Sequence, residues 1–552
     1  MKNQKNIVLV MILFAAFLMN SIEAVGQEKP TDARVEKREL CLLGRPIEVN
    51  GFIQQEAAIG IDPKFSGKNV TDYSSIQTEW NWHLTDNIDL YSINRLLGDL
   101  AYQIQDGKRW FKKANNTPAR KSVARKNLQW EFRGKYDREA EIIRELYFDI
   151  HTKYANFRLG RQQVVWGESD GLRLMDFINP QDLRREFNLR DSDEGYEHTR
   201  IPQWMAKITY FPPIEPLNIK DLQFELVINP NVKTNRLEAY NSEGGVWAAD
   251  EPNLPYTTRV QLYNKERNLS LRNTEYAMRI IGNFKEWLFT LNFFYGVQPD
   301  PYLVPLGPSL VTPPWDRAIL QLNFDKRYDW RRIVGFTVNH ELSSIRFRGT
   351  TSPVLRIESL YEFKKSFINE GSQIGAMAWT GLNPFEKKYK KNFDQIRIMV
   401  GFDWPIYIRP LNKTESFFFS SQFFLFRIEG NHGNLVNAPF YFTDAVSQDA
   451  LPPLPYSKSH KIDPWRVHNE QKYFSFLVNT QYLNKRITPQ FLYLHDFNEH
   501  AHGIKAKINF NFGSHWRPEF GYMFWRGNHD TGKSFGLFQK NTQLYMKIKY
   551  QF

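Results

Sequence analysis

The chain ends QLYMKIKYQF, and the alternation in that stretch constrains its fold more than any other feature. Side chains on a strand alternate between two faces, so Leu544, Met546, Ile548, Tyr550 and Phe552 fall on one side, and Gln543, Tyr545, Lys547, Lys549 and Gln551 on the other. The pattern recurs upstream. Ile504, Ala506, Ile508 and Phe510 alternate with Lys505, Lys507 and Asn509. Leu222, Phe224, Leu226 and Ile228 alternate with Asp221, Gln223 and Glu225, and Leu146, Phe148 and Ile150 with Glu145, Tyr147 and Asp149. Trp204, Ala206, Ile208 and Tyr210 alternate with Gln203, Lys207 and Thr209, and Ala318, Leu320, Leu322 and Phe324 with Gln321 and Asn323.

Such segments run roughly ten residues, the length that crosses a bilayer as a tilted strand. Charges in hydrocarbon are costly, so the apolar face has to be the outer one. Asp149, Lys207, Glu225, Lys505, Lys507, Lys547 and Lys549 are then expected to line a lumen, one that is wet or filled by a polar plug. The reading is all-β: a transmembrane antiparallel outer-membrane β-barrel of about 18 strands, within a range of about 16 to 20, with long extracellular loops and an inward-folded loop. Tight polar turns are expected at Asn484-Lys485, Gly513-Ser514 and Asn283 to Glu286. The longest gaps fall near 105–142, 167–202, 230–270, 364–392 and 430–470. Short turns at one rim and long loops at the other are expected of such a barrel. Both ends of the wall then share a rim, so the count has to be even; splitting 75–104 at Thr85-Asp86-Asn87 leaves it odd.

Composition fits this reading. Aromatic residues make up 15% of the chain, an excess that two interfacial girdles absorb. Mean hydropathy is −0.53, as expected where only alternate residues meet lipid. Residues 1–26 have the layout of a secretory signal peptide: Lys2 and Lys5, an apolar run from Ile7 to Met19, and Ala24-Val25-Gly26 before Gln27. Residues 27–46 are assigned to a periplasmic N-terminal segment and 47–552 to a single barrel. The lone Cys41 excludes an internal disulfide. Export and a bacterial outer-membrane location follow. A terminal amphipathic strand ending in an aromatic residue is similar to the signal recognised by the barrel assembly machinery, with Tyr550 and Phe552 as its carriers.

The formal charge of +12 is concentrated in one stretch, from Lys108 and Arg109 through Lys112, Lys113, Arg120, Lys121, Arg125 and Lys126 to Arg133 and Lys135. On an outside loop it faces outer-membrane lipid and lipopolysaccharide phosphates; nucleic acid is not an expected partner of an exported barrel.

One pentapeptide spells a catalytic motif. Gly167-Glu168-Ser169-Asp170-Gly171 satisfies G-x-S-x-G, the nucleophile elbow of serine hydrolases. That elbow needs a buried parallel strand before the serine and a helix after it. Phe157 to Trp166 carries Arg158, Arg161, Gln162 and Gln163, and the following residues lead into the turn pair Asn179-Pro180. No spacing pairs His151 or His198 with Ser169. The structural reading is favoured: Arg161, Glu168, Asp170, Arg173, Asp176 and Asp182 place six charges in 22 residues beside two glycines. With Trp166 and Ser169 they mark an inward loop, expected to act as a lumen constriction or gate. His495, His500 and His502 read as an outside polar loop. No catalytic, metal or cofactor motif is assigned.

Several stretches resemble a known family. Gly160-Arg161-Gln162, Trp166-Gly167-Glu168-Ser169, Ile178-Asn179-Pro180-Gln181-Asp182-Leu183 and Arg200-Ile201-Pro202 are similar to the proteobacterial outer-membrane β-barrel family called domain of unknown function 1302 (DUF1302). Pro353 to Glu358, Met399 to Asp403, Phe418 to Phe424 and the last strand look like its later strands. The resemblance implies a barrel working beside an RND-type inner-membrane transporter and a periplasmic lipoprotein-like carrier, moving hydrophobic or amphipathic molecules or lipids. The expectation is therefore an outer-membrane channel. The competing readings are an assembly or structural barrel without transport, and an outer-membrane lipase or esterase using Ser169.

Overall fold

A computed structural model describes residues 38–61, 69–99, 142–181, 199–214, 216–235, 258–264, 273–300, 302–311, 319–345, 351–369, 390–430, 435–436, 467–527, 534–536 and 542–552. The basic stretch at 105–135, Asp182, Leu183 and His198 lie outside the described residues. In chain order the strands begin β1 (Arg38–Leu42), β2 (Arg45–Gly60), β3 (Asn69–Thr85), β4 (Ile88–Asp99), β5 (Ile143–His151), β6 (Ala155–Gln162), β7 (Gln203–Tyr210) and β8 (Lys220–Asn229). They continue β9 (Thr258–Asn264), β10 (Glu275–Phe284), β11 (Trp287–Val297), β12 (Tyr302–Val311), β13 (Ile319–Arg327), β14 (Trp330–Glu341), β15 (Val354–Asn369) and β16 (Lys390–Ile406). The last are β17 (Phe417–Ile428), β18 (Leu435–Val436), β19 (Glu470–Asn479), β20 (Ile487–Asp496), β21 (Ala501–Phe510), β22 (Trp516–Arg526) and β23 (Gln543–Gln551).

Antiparallel pairing runs β2–β3–β4–β5–β6–β7–β8–β10–β11–β14–β15–β16–β17–β19–β20–β21–β22–β23 and returns to β2. The wall is a closed 18-stranded barrel. Closure matters because hydrocarbon offers nothing to hydrogen-bond a bare strand edge. The seam is made by β2 and β23, from Phe52 opposite Gln551 to Gly60 opposite Gln543. Gly51 and Phe552 exchange both backbone bonds at 3.0 Å. A Cβ on Gly51 would sit 2.7 Å from the Phe552 ring, so the glycine makes room for the terminal aromatic. Tyr550 stacks on His515 and meets Trp516 edge-on. The boundary placed at residue 47 falls inside β2, whose first residues pair with β1.

The turns expected at Asn283 to Glu286, Asn484-Lys485 and Gly513-Ser514 all lie on one rim, with the chain crossing at Asp86-Asn87. Lys285 and Glu286 both take positive φ, the backbone of a two-residue hairpin turn whose twist matches its strands. The long gaps all open on the other rim. By that asymmetry the short-turn rim is the periplasmic one.

Two sequence expectations need correction. The alternating segment Ala318 to Phe324 is not part of the wall. Residues from Ile319 on form β13, antiparallel to β12 and parallel to β9, in a separate three-stranded sheet built from two long connections. Alternation reports a two-faced strand, not the sheet it joins. A wall without that segment is even, although 75–104 does split into β3 and β4. His500 lies in the turn between β20 and β21 on the long-loop rim, but His495 and His502 are wall-strand residues, not a loop; they join an aromatic row with Tyr493, Phe497 and Phe524.

The outer face is apolar. Phe148, Leu159, Phe224, Leu291, Phe336, Phe423 and Leu544 are exposed, while the residues between them point inward. A soluble protein rarely presents so large an apolar band, and lipid covers it here.

Candidate functional site

The lumen is crossed by residues 163–181, the connection leaving β6. Its base is tied by polar side chains. Asn179 Oδ1 accepts from Val164 N at 2.7 Å, and Asn179 Nδ2 donates to Ile201 O at 2.9 Å, so one amide joins the outgoing and returning limbs. Asp176 Oδ2 receives Arg173 Nε at 3.0 Å and Arg200 Nε at 2.7 Å, with both Asp176 and Arg200 buried. Arg200 also bridges back to Gln181. The side chain of Gln162, fully buried, donates to Met205 O at 2.9 Å where the strap begins. Buried charge has to be paired, and these pairs fix the strap's exit angle.

From that base the strap reaches across the wall. The Trp166 indole N–H donates to Glu225 on β8. Phe177 O accepts from Arg331 on β14 at 2.9 Å. Glu358 on β15 accepts from the backbone N–H groups of both Glu168 and Met175. Arg356, two residues away on the same face, donates to Glu168 O at 2.6 Å and Asp170 Oδ2 at 2.7 Å. It also pairs with Asp403 at 2.8 Å. Gln422 on β17 accepts from Asp170 N and donates to Asp170 Oδ2, both at 2.8 Å. Asn339 on β14 donates to the Glu168 carboxylate. A Cβ built on Gly171 would lie 2.9 Å from Leu494 of β20 and 3.8 Å from Ser475 Cβ of β19. Gly171 has φ of 79°, a backbone that suits glycine at so tight a turn. β6 and β19 are opposite in the ring of pairings, so the strap spans the barrel.

Its packing is apolar. Trp166, Leu174, Met175 and Ile178 are buried against Met205 of β7, Val227 of β8, Ala277 of β10, Phe294 of β11, Ile333 of β14, Leu360 of β15, Met399 of β16 and Phe424 of β17. Eight successive wall strands each turn one apolar residue inward. A second cluster continues the belt, with Leu492 and Leu494 of β20, Trp525 of β22, Tyr545 of β23 and Ala58 of β2. Leu172 of the strap touches both. The plug expected to be polar is therefore apolar at its centre and polar at its ends. The lumen face was read as charged; beside those charges it carries a hydrophobic belt, because an inward side chain that meets the strap is buried rather than wetted.

The charged residues named from sequence are placed as follows. Asp149 pairs with Arg158 at 2.7 Å, near the periplasmic end of the wall. Lys207 lies 3.5 Å from Glu225, whose other oxygen holds Trp166. Lys507 and Lys547 share Glu519 at 3.2 and 3.6 Å, and Lys505 is buried beside them. The Lys549 ammonium sits over the Phe52 ring at 4.6 Å. Arg161 is buried at the end of β6. Glu168, Asp170, Arg173, Asp176 and Trp166 are brought together by the strap; Asp149, Lys505, Lys507, Lys547 and Lys549 are not part of it.

Ser169 sits at the strap's tip, with neither a parallel strand before it nor a helix after it. His151 bonds Asn156 at a periplasmic turn and faces Asp89 there, well away from the tip. No group of histidine, cysteine and acidic side chains able to hold a metal occurs among the described residues. The site residues missed from sequence are the belt and wall side chains that hold the strap: Arg331 and Asn339 on β14, Arg356 and Glu358 on β15, and Gln422 on β17. The belt left a signal: alternation breaks at Leu226-Val227-Ile228, Ile333-Val334, Ile398-Met399-Val400 and Phe423-Phe424-Leu425.

The chain resembles OccK8 (OprE) of Pseudomonas aeruginosa at 9% identity, over 92% of this chain and 97% of that one, with a TM-score of 0.42. Pseudomonas aeruginosa OpdK, solved with vanillate, gives 6% identity, 92% and 98% coverage, and 0.43. Acinetobacter baumannii OccAB1 gives 8% identity, 94% and 97% coverage, and 0.42. A search of curated proteins found no match. The family described as "Protein of unknown function (DUF1302)" matches residues 62–352, which contain the whole strap; the stretches from Pro353 onward that resembled its later strands lie beyond the match. With more than half of its 552 residues matched, the chain belongs to the DUF1302 family of outer-membrane β-barrels.

Proposed function

We propose that this protein is an outer-membrane duct for hydrophobic or amphipathic molecules, held shut at rest by the 163–181 strap. The observation that carries the reading is the belt. A barrel whose lumen only passes water-soluble solutes has no use for apolar side chains turned inward on strand after strand. Here they line the passage at one level, and the strap satisfies them in the absence of cargo. A cargo with apolar surface replaces those contacts at little cost, whereas water does not.

On this reading an inner-membrane RND-type transporter and a periplasmic lipoprotein-like carrier bring cargo to the short-turn rim, and lipopolysaccharide surrounds the other. Sec export and insertion through the terminal strand deliver the barrel. The test is whole-cell permeability to nitrocefin, in cells making the intact protein or the form lacking 167–181 at equal barrel abundance. The duct reading predicts faster entry through the shortened form. Equal entry contradicts it and favours an assembly or structural barrel.

A further inference from the structure

We propose that the strap tip occupies a binding site for an anionic amphiphile, and that cargo opens the duct by taking that site from Asp170. The proposal rests on the duct reading and names the cargo's chemistry.

The tip reads as a stand-in for such a molecule. The Asp170 carboxylate is its head: it receives the Arg356 guanidinium at 2.7 Å and the Gln422 amide at 2.8 Å, with the Ser420 hydroxyl at 3.4 Å. The apolar part follows at once, as Leu172, Leu174 and Met175 enter the belt. Guanidinium plus amide is a receptor for a carboxylate or a similar oxyanion, and charge-assisted bonds of this kind are the strong ones. A monoanion with an alkyl chain offers the same head and the same tail without a backbone to constrain it.

Two further observations support access and capacity. The Asp170 side chain is 42% exposed although its partner Arg356 is 13% exposed, so the head site opens to the lumen while the belt does not. Arg279 Nε and Arg331 Nε are buried on the wall beside the belt with no acceptor among the described residues. A buried donor left unmade is costly, and an anion passing the belt satisfies it.

Strand direction gives the side of entry. β15 and β17 both run from the short-turn rim to the long-loop rim, and Arg356 and Gln422 precede the belt residues Leu360 and Phe424 on them. The head site is therefore on the periplasmic side of the belt. Cargo arriving from the periplasm meets the anion site first and the apolar belt second, which suits outward passage.

The experiment is single-channel recording of purified protein with dodecanoate, below its micelle concentration, on the periplasmic side. Dodecyltrimethylammonium, dodecanol and acetate are the comparison probes, with protein-free bilayers and the protein lacking 167–181 as references. Dodecanoate is expected to raise opening frequency at least tenfold while the cationic, neutral and chain-free probes do not. Asp170→Asn is expected to lower the dodecanoate concentration needed by about fivefold, the worth of a half-exposed ion pair. Arg356→Gln is expected to remove the preference for dodecanoate over dodecanol. Conduction by the shortened protein with no response of the intact one to dodecanoate overturns this inference and leaves the duct standing. Equal opening by dodecanol overturns the anion site. Silence of the shortened protein overturns the duct reading itself.

Discussion

Met175→Ala isolates the strap's packing from its polar anchors. Met175 is fully buried, and its Cε lies 2.6 Å from where a Cβ on Gly335 would stand, so it fills a notch that the glycine leaves in β14. Truncating a buried methionine costs about 2–5 kcal/mol. The loss falls on the docked strap and not on the wall, because the wall's backbone pairing does not involve this side chain. At 1.4 kcal/mol per decade, even about 2.8 kcal/mol lowers the docked-to-undocked ratio about a hundredfold. Amide hydrogen exchange reads this directly. Met175 N is held by Glu358, Asp170 N by Gln422 and Val164 N by Asn179, so all three report docking. They are expected to exchange about a hundredfold faster in the variant, while amides of the wall pairing, such as β16 against β17, are unchanged. Strap exchange altered less than threefold would refute the claim that belt packing holds the strap. Equal acceleration in strap and wall would refute its independence.

Cysteines introduced by Gly171→Cys and Ser475→Cys, in a Cys41→Ser background, are expected to form a disulfide on mild oxidation, because the Cβ positions are 3.8 Å apart, the usual separation; failure to cross-link, read by intact mass, would contradict the strap's reach. Gly521→Ala is expected to destabilise the wall by about 1–3 kcal/mol, since the new methyl would sit 2.1 Å from the Tyr545 ring. The check is the temperature at which the barrel loses its compact mobility on a detergent gel; an unchanged temperature contradicts the packing. Ser169→Ala is expected to leave both that temperature and any hydrolysis of p-nitrophenyl esters unaltered, and loss of an esterase activity would revive the nucleophile reading.

The barrel was legible in the sequence because lipid outside and charge inside force a period of two, and the terminal strand from Gln543 to Phe552 showed it plainly. The rims were legible as well, since Lys285-Glu286 and Asn484-Lys485 are turns whose brevity only a hairpin allows. The strap was visible as charge beside glycine at Glu168, Asp170 and Arg173. What holds it was not, because Arg356, Glu358 and Gln422 are about 190 to 250 residues away and spacing carries no record of the closed ring that brings them round. The belt was hidden for a different reason. Val227 and Phe424 stand at positions where alternation asks for polar residues, and an apolar residue there reads as noise until neighbouring strands are aligned. Ala318 to Phe324 erred in the opposite way, since a strand of the accessory sheet alternates as well as one of the wall.

The most direct measurement is single-channel conductance in planar bilayers, intact protein against the form lacking 167–181. A strap that spans the lumen predicts an intact protein that is silent or opens rarely and a shortened one with large, steady openings. The same conductance in both, or silence in both, would contradict the account.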